Sequence, residues 1–329
     1  MFHIGMENKM AARIIGTGSS LPTHIVSNDD LSKVMDTSDE WIRSRTGIGK
    51  RHLAVEETTT TMSVEAAKKA MEDAGVTAEE IDLIIVGTIS SDYCFPSTAC
   101  EVQAAIGAKN ATAFDINAAC SGFLFALGIA DAYFQAGTYQ TALIIGAETL
   151  SKMMDWNDRS TCVLFGDGAG AAIVKKDEIG VMSMVQGSDG SRGASLQCEN
   201  RKVNHPYVKN SKELSYTSMS GQEVYKFAVK TVPKCIEQAL EKAGVAKEEI
   251  KYFILHQANI RIIEAVSKRL GEPFEKFPTN LEECGNISAG SVPILLDMTN
   301  REGKLQKGDK IVLAGFGAGL TWGAQVITW

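Results

Sequence analysis

Short continuous apolar runs alternate along the chain with longer stretches of helical period. Arg13-Ile14-Ile15-Gly16 reads as a first strand, with turn chemistry from Gly16 to Pro22. Thr37-Ser38-Asp39-Glu40 sets hydroxyls and acids just before Trp41-Ile42, a helix start. Met62 to Ala74 has helical spacing and stops at Gly75. Ile81 to Val86 reads as a buried strand, Ser97 to Ile106 as a helix, and Ala113-Phe114-Asp115-Ile116 as a short buried strand. A long, largely buried helix follows over 121–137, then buried strands at Ala142 to Ile145 and Ala171 to Val174.

The second half repeats the first. Ala70-Met-Glu-Asp-Ala-Gly-Val-Thr-Ala-Glu-Glu-Ile81 matches Ala239-Leu-Glu-Lys-Ala-Gly-Val-Ala-Lys-Glu-Glu-Ile250 at an offset of 169 residues. The same offset pairs Gly18-Ser19 with Gly187-Ser188, Gly146 with Gly315, and Cys120 with Ala289. Chance supplies one such match, hardly four. The pattern implies two duplicated βαβα halves, each with a mainly parallel sheet, packed as one layered α/β fold. The expected divisions are an N-terminal extension (1–9), a first half (10–176) and a second half (177–329). Two stretches have no counterpart: 149–165, with Trp156, Asp158 and Arg159, and the polar excursion 189–222.

Within this frame Cys120 falls at a strand-to-helix turn. Free N–H groups and the helix dipole there favour a thiolate; the competing reading is a small buried cysteine that only packs. The offset places His256 just past an apolar strand, opposite Gly87, and Asn286 in the turn before the helix opposite the cysteine's. Sites in α/β sheets gather at the carboxyl ends of strands, so Cys120, His256 and Asn286 are expected to converge.

Composition narrows the classes. Apolar content of 44% and charged content of 22% over 329 residues suit a globular protein with a large core. A net charge of -7 argues against nucleic acid as a partner, and an acidic partner would need a local basic patch. Seven irregularly spaced cysteines suit a reduced, cytoplasmic protein; none forms CxxC, and no metal site is expected. Met1 to Ala12 lacks the apolar core of a signal peptide, and no apolar run is long enough to span a membrane. The glycine-rich strings at 16–18, 166–170 and 315–319 complete neither a dinucleotide nor a nucleoside triphosphate motif and read as close backbone packing.

Residues 10–329 resemble β-ketoacyl-[acyl carrier protein] synthase III of the thiolase superfamily. The resemblance rests on Asp39-Glu-Trp-Ile-Arg-Ser-Arg-Thr-Gly-Ile48, Ala119-Cys-Ser-Gly-Phe123, Gly166-Asp-Gly-Ala-Gly-Ala-Ala172, His256-Gln-Ala-Asn259, Gly285-Asn-Ile-Ser-Ala-Gly-Ser-Val-Pro293 and Gly315-Phe-Gly-Ala-Gly-Leu-Thr-Trp-Gly323. It implies a thiolase-like fold, a homodimer and a catalytic triad of Cys120, His256 and Asn286. It also implies the initiating condensation of type II fatty-acid synthesis. A short acyl-CoA, acetyl or branched, acylates Cys120; malonyl-[acyl carrier protein] then loses CO2 and attacks the acyl group. No cofactor is implied, since acyl-CoA and the malonyl carrier are substrates.

The remaining roles follow the resemblance by position. The oxyanion donors are the backbone amides of Cys120 and Ala318. Trp41 and Arg159 match the pair that holds adenine, Arg45 and Thr37 nucleotide-end contacts, and Met219, Gly221, Ala258, Asn259 and Phe316 the pantetheine tunnel. Phe95 matches the residue that closes the partner's acyl pocket. Lys226, Arg261, Lys268 and Arg269 would form a basic patch for the acidic carrier protein, with Ile262, Ile263, Val266 and Leu270 as the buried face of that helix. The competing readings are core packing for Trp41 and Phe95 and a solvated face for the basic stripe. The chain departs from the family at Ile287, Ala318 and Leu320, where Thr, Gly and Phe are frequent; pocket shape, and so primer choice, is affected. A synthase III-like enzyme of polyketide or secondary metabolism and a non-catalytic partner subunit are the alternatives. A synthase of hydroxymethylglutaryl-CoA type should carry a glutamate near the Cys-His pair, where the sequence offers Asn286.

Overall fold

The structure, a computed structural model, describes residues 10–208 and 215–329; the expected extension 1–9 and part of the excursion 189–222 lie outside them. Nine strands form two sheets. The first contains β1 (Ala11–Ser20), β2 (Leu83–Gly87), β3 (Thr112–Ile116), β4 (Thr141–Thr149) and β5 (Asp167–Asp177), in the order β1-β5-β4-β2-β3. The second contains β6 (Val181–Ser188), β7 (Ile250–Leu255), β8 (Lys310–Gly317) and β9 (Thr321–Thr328), in the order β6-β9-β8-β7. The duplicated strands thus occupy the same places in both sheets. One strand per sheet, β5 or β9, runs against its neighbours; all the others share one direction. The mainly parallel sheets expected from sequence are instead mixed: of the seven strand pairings in the two sheets, four are antiparallel and three parallel. β5 and β9 are reached through a loop and a tight return rather than a crossover helix, so they reverse.

β3 departs from expectation. It forms the open edge of its sheet, and its residues are half-buried or exposed. At the corresponding place in the second half stands the short helix Leu281–Cys284. Asp115 on β3 accepts from the N–H groups of Thr98 and Ala99, both at 2.8 Å, and so caps the helix α3 (Thr98–Ile106).

Alternation in the strands builds the layers. Leu83 and Ile85 face one way and Ile84 and Val86 the other, as period-two geometry requires. Leu83, Ile85 and Ile144 share a core with Ile254, Leu313 and Ile327 of the second sheet. Between the sheets lie α4 (Gly122–Gln135), with Phe123, Leu127 and Phe134, and α7 (Ser291–Arg301), with Val292, Leu295 and Leu296. Outside the first sheet, Ile84 and Ile173 pack on α2 (Thr59–Ala74) and α3. Outside the second, Phe253 and Val326 pack on α5 (Gly221–Ala243) and α6 (Ile260–Leu270). The result is five layers with the duplicated helices α4 and α7 at the centre. Full burial of each large apolar side chain contributes roughly 1.5–3 kcal/mol. The halves are also tied by the buried carboxylate of Asp297 on α7, which accepts from Thr17 Oγ1 at 2.8 Å and Ser19 Oγ at 2.6 Å on β1.

The helix starts and stops follow the sequence. Ser38 caps α1 (Asp39–Thr46) and Ser97 caps α3. Gly75 and Gly244 end α2 and α5 in the left-handed region, at φ 64° and 65°, also one offset apart.

Candidate active site

The central helices begin against the carboxyl ends of the strands, where only glycine permits the approach. A Cβ on Gly87 would meet the Gly122 carbonyl carbon at 2.7 Å, and one on Gly146 would meet Ala289 O at 2.0 Å. Each helix is entered through one turn of 3-10 helix, Ala119–Ser121 before α4 and Ser288–Gly290 before α7. Cys120 sits in the first of these turns. The end of β8 closes over it: a Cβ on Gly317 would lie 2.6 Å from Cys120 N, and one on Gly315 would lie 3.2 Å from His256 Cβ and 3.9 Å from Cys120 O. A side chain at Gly315 would thus run against His256 and lie within van der Waals range of the Cys120 carbonyl. The Thr321 hydroxyl pins this loop, lying 3.0 Å from Ala118 O, 3.2 Å from Ser121 Oγ and 3.2 Å from Ala318 O.

A small apolar cavity of about 60 Å³ opens on the cysteine. Ala119, Cys120, Ser288 and Ala318 form one wall, and Ile89, Leu150, Met153, Met154, Phe165 and Leu196 the others. Burial pushes the Cys120 thiol up to about 12. The helix terminus was expected to favour a thiolate; burial outweighs it, and the resting group is a thiol.

His256 follows β7, fixed by its backbone N–H donating to Ala314 O at 2.8 Å. Its ring meets Phe316 edge to face at 5.4 Å, Nδ1 has no partner, and burial lowers its pKa to about 3, so it is neutral. Asn286 is held by its backbone, whose N–H donates to Leu164 O at 2.9 Å and whose carbonyl accepts from Gly166 N at 3.0 Å. Its side-chain Oδ1 accepts from Ser288 N at 2.8 Å, which leaves the NH2 as the donor end. His256 and the Asn286 amide are thus both neutral groups with a donor to offer.

The other expected residues fall into distinct groups. Trp41 on α1 carries two cations, Arg45 at 4.6 Å and Arg159 at 5.3 Å from its ring centre. Arg159 also reaches Asp36, donating to its carbonyl and, at 3.0 Å, to its carboxylate. Thr37 Oγ1 is buried and has no hydrogen-bond partner among the described residues. Met219 is half-buried on the short strand Ser218–Met219, and Gly221 opens α5, exposed. Ala258 is half-buried; Asn259 is committed to structure, capping α6 through Arg261 N at 2.9 Å and donating to Arg45 O at 3.0 Å. Phe316 lies beside His256 and Phe227. Phe95 is 87% exposed and lines no part of its own chain's cysteine cavity.

Of the basic patch, Arg261 donates to Ser44 O at 2.7 Å and so braces α6 against α1; Lys226 lies on α5, paired to Glu223 at 3.0 Å. Lys268 and Arg269 are exposed in the last turn of α6. A larger cleft of about 560 Å³, with Arg192, Lys226, Lys230 and Lys234 on its wall, was not foreseen.

Sequence reasoning also missed Glu148. It is the penultimate residue of β4, is fully buried, and is held by Ile89 N at 3.1 Å, Ser90 Oγ at 2.5 Å and Thr88 Oγ1 at 3.2 Å. Ile89, whose N–H donates to it, lines the cysteine cavity. The signal was present: a lone acid closes an otherwise apolar strand, and its counterpart at the offset is Gly317.

A buried cysteine at the entrance of one of two central helices, on a duplicated five-layer fold, fits a thiolase-fold condensing enzyme. Family profiles for 3-oxoacyl-[acyl-carrier-protein (ACP)] synthase III match residues 114–190, and for its C-terminal part residues 240–329. The chain is 50% identical over 322 residues to beta-ketoacyl-[acyl-carrier-protein] synthase III of Clostridium acetobutylicum, covering 97% of this chain and 99% of that one. The crystal structure of 3-oxoacyl-[acyl-carrier-protein] synthase III from Aquifex aeolicus VF5 superposes with a TM-score of 0.91 at 46% identity, over 97% of this chain and 100% of that one. The priming beta-ketosynthase from the R1128 polyketide biosynthetic pathway gives a TM-score of 0.92 at 36% identity, over 99% and 98%. The chain belongs to the β-ketoacyl-[acyl-carrier-protein] synthase III family. It is an acyltransferase, a condensing enzyme of the kind that initiates fatty-acid synthesis. Among the described residues no helix is long and apolar enough to cross a membrane.

Proposed function

We propose that the protein condenses a short acyl-CoA with malonyl-[acyl carrier protein] to give 3-oxoacyl-[acyl carrier protein], CO2 and CoA, through an acyl group on Cys120. The observation that carries this reading is the buried Cys120 at the entrance of a central helix, opening on a small apolar cavity that it lines together with Ala318. In the first half-reaction Cys120 sulfur attacks the thioester, the oxyanion is held by the amides of Cys120 and Ala318, and CoA leaves. In the second, CO2 departs from the malonyl group, and the enolate oxygen takes hydrogen bonds from neutral His256 and the Asn286 amide. Burial supports the His256 role, since a neutral imidazole donates without needing a counter-ion. The small apolar cavity suits an acetyl or short branched primer. No cofactor enters the scheme.

Adenine stacks on Trp41 after Arg159 swings to its outer face, with Arg45 and Thr37 near the nucleotide. Pantetheine passes Met219, Gly221, Ala258 and Phe316; Asn259 shapes this path through its cap rather than with a free amide. The carrier protein, acidic in this reading, meets Lys268 and Arg269, with Arg261 and Lys226 beside them. The exposed Phe95 and the open edge of β3 support a homodimer in which each Phe95 enters the partner's acyl cavity. The reduced cysteines fit a cytoplasmic setting.

The structural likeness to a priming ketosynthase favours one alternative, a primer chosen for polyketide assembly. Incubating the protein with malonyl-carrier protein and a panel of acyl-CoAs, with mass analysis of the carrier, tests both. Acetyl or short branched 3-oxoacyl products support the proposal. Products only from other primers favour the alternative, and no product from any primer overturns both.

A further inference from the structure

One large charge in the core has no assigned work. Arg51 is fully buried, the middle residue of the short strand Lys50–His52 that pairs with Ile25–Ser27. Its guanidinium donates to Val26 O at 3.1 Å, to Asn28 Oδ1 at 2.8 Å and to Val163 O at 2.9 Å, and Nε has no partner among the described residues. All three acceptors are neutral, so the cation is buried without a carboxylate bonded to it. A charge held this way costs stability, and an apolar side chain of similar length would fill the space at less cost. What the arginine adds is a planar fork that fixes several backbone segments at once.

The segments it fixes lead to the site. Val163 begins the stretch 163–166, which brackets Asn286. Asn286 N donates to Leu164 O at 2.9 Å, Gly166 N donates to Asn286 O at 3.0 Å, and Phe165 pairs with Asn286 as an isolated parallel bridge. The stem of Arg51 packs against the same bracket: a Cβ on Gly166 would come within 3.3 Å of Arg51 Cβ, and one on Gly285 within 3.4 Å. Asn28 extends the fork the other way. Its Nδ2 donates to Asp39 Oδ1 at 2.8 Å and to Ile48 O at 2.7 Å, and Asp39 opens α1. One end of the network is thus anchored on a helix start and the other on the backbone that holds Asn286.

We propose that Arg51 is a positioning residue for Asn286. Its fork holds the segment 163–166, that segment holds the Asn286 backbone, and the Asn286 amide is thereby kept where the enolate oxygen forms. The proposal rests on the reading of Asn286 as an enolate donor, and Arg51 itself touches no substrate. Placement of such a donor matters steeply, since a shift of about 1 Å can cost about 10²-fold in rate. Acylation depends on it less, because the oxyanion amides of Cys120 and Ala318 lie outside the bracket.

The test is a double-mutant cycle on CO2 release from malonyl-[acyl carrier protein], with Arg51→Met, Asn286→Ala and the pair combined. Cys120 acylation by acetyl-CoA is measured alongside by intact mass. Arg51→Met is expected to slow CO2 release about 10²-fold and acylation far less. On the Asn286→Ala background it is expected to add almost nothing, because the group it positions is gone. Arg51→Lys keeps the charge without the fork and is expected to fail in the same direction; it decides alone if Arg51→Met does not fold. Losses that multiply in the double variant, or equal losses in both half-reactions, overturn the role, since a general loosening of the core produces them. If Asn286→Ala releases CO2 like the parent, the reading of Asn286 fails first and the positioning role with it.

Discussion

Ala119 and Ser288, 169 residues apart, are the two non-glycine residues with positive φ among the described residues, at 47° and 45°. Each precedes or opens the turn that enters a central helix, and each turn carries chemistry: Cys120 follows Ala119, and Ser288 follows Asn286 by two. The duplication has therefore copied a strained backbone as well as strands and helices. Residues held in the left-handed region cost of order 1–3 kcal/mol and persist where the surroundings over-determine them.

That strain predicts a pattern of substitution. Ala119→Val and Ser288→Val place a branched Cβ in a region it disfavours and are expected to lose about 1–3 kcal/mol each. Ala119→Gly should be close to neutral. Urea unfolding of the three variants checks this; a stable Ala119→Val would mean that the turn relaxes freely.

Acid stability should report His256. Its ordinary pKa of 6.5 falls to about 3 through burial. Between those values the unfolded chain binds a proton that the folded protein refuses. Stability from this group is complete above pH 6.5 and falls with pH, by at most about 1.4 kcal/mol per unit. His256→Gln removes that proton, so its unfolding midpoint in urea should fall less steeply over the window. Equal slopes would mean that the ring is protonated in the folded protein.

The half-reactions should separate at Asn286. Acylation of Cys120 by acetyl-CoA is expected to survive Asn286→Ala, while decarboxylation drops by about 10²–10³. Asn286→Asp should be worse, because it sets a carboxylate where the enolate oxygen forms. CO2 release and acyl-enzyme mass are measured separately; an Asn286→Asp variant that decarboxylates like the parent removes the donor role.

The two substrates should separate on the surface. Trp41→Ala is expected to raise KM for acetyl-CoA about tenfold, from lost stacking, with little effect on KM for the malonyl carrier. Lys268→Glu should do the reverse. Arg261 is unsuited to this comparison, since its bond to Ser44 O braces α6 against α1. Equal losses for both substrates in either variant would show that the sites are not separate.

Much of the fold was legible because burial leaves a periodic trace. The apolar runs at 81–86 and 142–145 became β2 and β4, Ser38 and Ser97 capped helices, and the offset of 169 foretold the matching sheet orders. Strand direction leaves no such trace, so the run at 171–174 gave no sign that β5 would reverse, and β9 was not read as a strand at all. β3 looked buried because its residues are apolar, but an edge position depends on the neighbour that is absent. Cys120, His256 and Asn286 stood out in the sequence as motifs. Their protonation did not, because the burial that keeps Cys120 a thiol comes from loops remote in sequence, including Leu150, Met154 and Leu196. Asn259 and Arg261 showed the right chemistry, but only packing revealed that their side chains were already bound to α1. Glu148 showed in the sequence only as a lone acid in an apolar strand; its partners Thr88, Ile89 and Ser90 follow a neighbouring strand about 60 residues earlier and meet it only once the sheet has formed.

The central claim is that Cys120 carries the acyl group. The direct measurement is incubation with isotopically labelled acetyl-CoA, followed by intact mass and peptide mapping of the parent and of Cys120→Ala. One acetyl group per chain, on the peptide containing Cys120 and absent from the variant, is the predicted result. A label on another residue, or equal labelling of the variant, would contradict it.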